Sequence, residues 1–119
     1  MTTFYLSFTN TDHDHWWNRY LKPGFRHVYS VMELAPGIVL GINPRVAGLE
    51  IALQEGSPCD HVRGTVLRYD AEFEGCRLPS WPVMTCATVI AYHVGAPVRV
   101  FTPWQLFKAL RERGARVVQ

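Results

Sequence analysis

At 119 residues the chain has the length of one domain, and its 48% apolar content is enough for a single real core. Charged residues make up 18% of it and the formal net charge is +2, which excludes a disordered charged tail and leaves no basic footprint for nucleic acid. No apolar run nears the roughly 18 residues of a membrane span and no signal-peptide pattern opens the chain, so membrane insertion is not expected.

Cysteines at 59, 76 and 86 form an odd set without paired spacing. Free thiols in a reducing compartment are expected, not a disulfide framework. Lys108, Arg111, Arg113 and Arg116 cluster near the end of the chain, which suits the polar face and last turn of a helix.

Residues 3–9 are β-branched and aromatic and predict a first strand. Cap chemistry at Asn10–Asp12 then leads into a short helix or turn over 13–21, ended by Lys22-Pro23-Gly24. Residues 25–34 predict a strand with His27, Tyr29 and Val31 on one face and Val28, Ser30 and Met32 on the other. A turn at Ala35-Pro36-Gly37 joins it to a strand over 38–43, stopped by Asn43-Pro44, and so short a connection makes the two antiparallel. Further strands are expected over 48–53 and 64–73, giving an antiparallel meander.

Pro79 and Pro82 make residues 75–82 an irregular approach to a short apolar helix over 85–94, with Thr85 as N-cap and Gly95 just past its end. Residues 98–101 suit a short edge strand. Thr102-Pro103 then opens a last helix to about Arg113, with Leu106, Phe107 and Leu110 as its apolar stripe. Strands first and helices last, without βαβ alternation, is an α+β pattern: one domain over 1–119, an antiparallel sheet with helices on one face.

Cys86 falls at the first helical position, where unpaired amides and the helix dipole favour a thiolate. A nucleophilic cysteine also needs a base, and the base needs a partner that holds its tautomer. His27 sits in a strand, and the hairpin turn brings Asn43 level with about residue 29 on His27's own face. The bland alternatives are a packing cysteine and a core histidine bonded to backbone.

Other clusters carry less. Asp12, His13, Asp14 and His15, and the Cys59/His61 pair, lack metal-ligand spacing, so no metal or cofactor is expected. His93 lies two turns along the helix from Cys86, about 10 Å, too far for direct proton transfer. Trp16, Trp17 and Trp104 suit core or rim packing, whereas Trp81, five residues before Cys86 in a Pro-flanked loop, is placed to wall a substrate cleft.

A histidine on an early strand, a polar residue on the next and a cysteine opening a later helix resembles the circularly permuted papain-like thiol hydrolases of the NlpC/P60 type, which include lecithin retinol acyltransferase-like proteins. Gly24 to His27, Asn43-Pro44, Thr85-Cys86 and Thr102 to Leu106 also resemble motifs of small proteins encoded by tailed phages, a likeness spanning residues 24–110. The resemblance implies a permuted papain-like topology with Cys86 as nucleophile, His27 as base and Asn43 as the orienting residue. The Cys86 amide, with Ser80 as a candidate second donor, would hold the oxyanion. Ala87 after the cysteine and the lack of a Gln in the approach segment depart from the pattern and leave that second donor open.

The function so implied is a cysteine peptidase or amidase acting through a thioester on a peptide or cell-wall peptide, in the cytoplasm of an infected bacterium or in the virion. The alternative is a non-catalytic virion or assembly protein, in the tail or at the head-to-tail junction, that keeps the fold and binds other virion proteins.

Overall fold

The computed structural model describes residues 2–10, 19–45, 48–72, 85–96 and 100–119. Among these residues six strands form one antiparallel sheet: β1 (Thr2–Thr9), β2 (His27–Ala35), β3 (Ile38–Arg45), β4 (Gly48–Glu55), β5 (Thr65–Ala71) and β6 (Arg116–Val117). Among the described residues two α-helices follow the fifth strand, α1 (Cys86–His93) and α2 (Pro103–Glu112). The α+β expectation therefore holds at the level of class.

Strand alternation explains where the helices lie. Phe4, Leu6 and Phe8 of β1, Val28 and Met32 of β2, Ile42 of β3 and Leu67 of β5 form one core with Ala87, Ile90 and Ala91 of α1 and Leu106 and Leu110 of α2. Both helices thus cover the same face of the sheet. Each is started by a threonine: Thr88 N–H donates to Thr85 Oγ1 at 3.3 Å, and Gln105 N–H to Thr102 Oγ1 at 3.2 Å. Gly95 ends α1 at φ +76, a conformation that a side chain disfavours.

The sheet order, β4-β3-β2-β1-β5-β6, corrects the simple meander. β1 to β4 do run as neighbours, but β5 returns to the far side of β1. The reason lies in the connection over 56–64, which crosses the face opposite the helices. Its 3-10 turn, Pro58–His61, packs on β2, and Tyr29 donates its hydroxyl to the His61 carbonyl at 3.2 Å. Further on, Ser7 Oγ accepts from Arg63 N–H at 2.9 Å and also bonds the Arg63 carbonyl. Gly64 then passes so close to β1 that a Cβ on it would lie 2.3 Å from the Phe8 carbonyl oxygen.

Two further expectations change. Val100 and Phe101 are not in a strand, and residues 97–99 lie outside the described residues. The second edge is instead β6, whose two residues pair with Leu67 and Arg68. Most of the helix or turn expected over 13–21 also lies outside the described residues.

Candidate active site

The geometry of the site begins with the β2–β3 hairpin. Its tight turn pairs Ala35 with Ile38, and a one-residue bulge between Glu33 and Ala35 shifts the ladder so that Glu33 faces Val39 and Ser30 faces Ile42. Continued past that last pair, the register sets Asn43 level with Tyr29. A one-residue slip turns every side chain to the other face, so this bulge decides that Asn43 emerges beside His27 and not into the helix-side core.

The two side chains meet. His27 Nε2 lies 2.6 Å from Asn43 Oδ1, both residues half-buried. A carbonyl oxygen has no proton to give, so Nε2–H donates and Nδ1 is left as the ring's acceptor. That is the tautomer a general base requires. The Tyr29 ring lies 6.3 Å from the imidazole along the same face and is itself braced by the bond to His61.

The approach to β2 is anchored on α2. Phe25 meets Trp104 and Phe107 at 4.8 and 4.9 Å between ring centroids, and Lys22 lies 3.8 Å over the Trp104 ring. Trp104 is therefore a packing residue, as expected. Phe25 stands two residues before His27, so this aromatic group fixes where the histidine leaves the strand.

Cys86 is the first residue of α1, directly after its N-cap Thr85. Thr88, one turn on, donates to the Val100 carbonyl at 2.8 Å and ties the helix start to the chain before α2. Cys86 is half-buried and packs against the core. The expected low pKa is not what this environment produces. Burial pushes the thiol above its ordinary value of 9.0, and the amides of Val28, Ala87 and Cys86 itself offset this only in part. The helix start supplies favourable amides as expected, but desolvation outweighs them.

The structure therefore joins two of the three predicted residues, His27 and Asn43. Val28, next to His27 in the chain, supplies one of the amides that favour the Cys86 anion. Side-chain alternation turns Val28 towards α1 and His27 towards Asn43 and Tyr29. Ser80 and Trp81 lie outside the described residues. The Val28 amide was not foreseeable from the sequence, because a main-chain donor has no residue signature.

No protein-family model, curated protein or solved structure matches the chain. The site's chemistry must therefore be read from its own residues.

Elsewhere, no group of three or more metal-ligating side chains occurs among the described residues; the 12–15 run lies outside them. Cys59 is an exposed free thiol, and His61 Nε2 lies 2.9 Å from the Glu55 carbonyl. His93 is a core residue, set edge-on against Phe4 at 5.2 Å, and burial lowers its pKa from 6.5 to about 4. Among the described residues, no helix is long and apolar enough to cross a membrane.

Proposed function

We propose that the chain is a cysteine-dependent hydrolase of permuted papain-like type, cleaving an amide or isopeptide bond with Cys86, His27 and Asn43. The observation that carries this reading is the 2.6 Å contact between His27 Nε2 and Asn43 Oδ1, which fixes the tautomer in which Nδ1 is the ring's acceptor. Because burial holds the thiol protonated at rest, the reaction runs by general-base attack and not from a preformed thiolate.

Cys86 Sγ attacks the substrate carbonyl carbon as its proton passes to His27 Nδ1. The tetrahedral oxyanion is held by the Cys86 amide, with Ser80 as the candidate second donor. Collapse expels the amine, which takes the proton from His27 and leaves a thioester on Cys86. Water, deprotonated by His27, then attacks the thioester and releases the acid. Asn43 holds the ring in one tautomer throughout.

The substrates in view are cell-wall cross-link peptides or a virion or host protein, encountered by a phage-encoded enzyme in an infected bacterium or in the virion. The purified protein is expected to release new amino groups from cross-linked cell-wall peptides, and Cys86→Ala and His27→Ala to abolish the release. Activity that survives Cys86→Ala would refute the reading.

One observation favours a second reading. The raised thiol pKa suits a cysteine that packs as a small hydrophobe, which is what a non-catalytic virion or assembly protein retaining the fold would keep. In that case Cys86→Ala preserves assembly and no hydrolysis is found.

A further inference from the structure

The open edge of the sheet is the feature that the site does not use. β4 ends the strand order, and among the described residues nothing pairs with its outer side. Natural edge strands are usually protected by proline, charged side chains above all lysine, a bulge or short length. β4 carries two glutamates but no proline, lysine or bulge: it is eight residues long, Gly-Leu-Glu-Ile-Ala-Leu-Gln-Glu, and its register with β3 is continuous from Ile38↔Glu55 to Arg45↔Gly48.

Its side chains are unusual too. Leu49, Ile51 and Leu53 are 45%, 60% and 66% exposed. They pair with Pro44, Ile42 and Leu40, so all three stand on the helix side of the sheet as an uncovered continuation of the core face. An apolar stripe along an unpaired strand edge is the surface that strand addition uses.

We propose that β4 pairs antiparallel with β4 of a second copy of this chain, about a two-fold axis at Ile51, making one continuous sheet. The sequence of the strand selects this partner and this register. With Ile51 opposite Ile51 of the second copy, Leu49 meets Leu53, Leu53 meets Leu49, and Glu50 falls opposite the small Ala52. Moving the axis to Glu50 would set two carboxylates against each other, and moving it to Ala52 would set Leu49 against Glu55; like charges and polar–apolar pairs both weaken a ladder. Arg45, 3.3 Å from Glu50, offsets the negative charge beside the axis. One strand edge and three side chains make a small contact, so the dimer is weak and concentration-dependent.

Sedimentation equilibrium over a wide concentration range is the test. The wild-type chain should shift from monomer towards dimer as concentration rises, while Ile51→Lys, which sets two ammonium groups across the axis, should stay monomeric at every concentration. Should that variant fail to fold, Ile51→Cys decides, because side chains directly opposite lie about 4.5–5.5 Å apart at Cβ. Oxidation should then give a 51–51 disulfide dimer, identified by peptide mapping, that neither the parent chain nor the control Leu34→Cys forms. A wild-type chain that is monomeric throughout, a dimer that survives Ile51→Lys, or cross-linking no faster at 51 than at 34 would overturn the proposal.

Discussion

Acid should destabilise this fold through His93, and the effect can be worked out from its surroundings. The imidazole is 2% exposed, packed edge-on against Phe4, and burial lowers its pKa from 6.5 to about 4. In the unfolded chain it titrates near the ordinary value, so between these limits the unfolded state binds the extra proton. The native state is then favoured in full above about pH 6.5, and that contribution is lost as pH falls towards 4. A gap from 6.5 to about 4 corresponds to about 3 kcal/mol. Urea unfolding of wild type and His93→Gln across this window measures it. The wild-type midpoint should fall more steeply with acid than the variant's, the two curves separating by up to about 3 kcal/mol. Parallel curves would show that His93 is solvated, or charged and paired, in the native state, and would refute the reasoning.

Gly64→Ala should cost at least about 2 kcal/mol in chemical denaturation, since residue 64 has φ +68 and its Cβ would strike the Phe8 carbonyl. Thr85→Ala removes the cap of α1 and should cost about 1 kcal/mol, read as a lowered melting temperature. Asn43→Ala should leave the fold intact but lower the rate of Cys86 acylation about 10- to 100-fold, the equivalent of one lost hydrogen bond to the ring.

Much of the site could be read from one hairpin. The turn at Ala35–Gly37 implied a register, and the register implied that His27 and Asn43 share a face; the bulge between Glu33 and Ala35 is what makes this true, and the sequence does not mark it. Local signals also sufficed for both helix starts, because a threonine cap acts within one turn. Strand order was not legible in the same way. β5 lies beside β1 because the 56–64 connection binds Tyr29 and Ser7, contacts between residues 32 and 56 positions apart in the chain. β6, at two residues, is too short to leave a periodic pattern. The raised Cys86 pKa is not legible in the sequence for a related reason: helix position is local and visible, whereas burial depends on what packs around the thiol.

The most direct test of the Cys86–His27–Asn43 assignment is the pH dependence of Cys86 acylation by a peptide thioester or chloromethyl ketone, followed by mass spectrometry. With His27 as the base, the wild-type rate should rise at a pH below the thiol's own raised titration, and that rise should vanish in His27→Gln. A single rise only above pH 9, unchanged by His27→Gln, would show Cys86 reacting as an isolated buried thiol and would contradict the assignment.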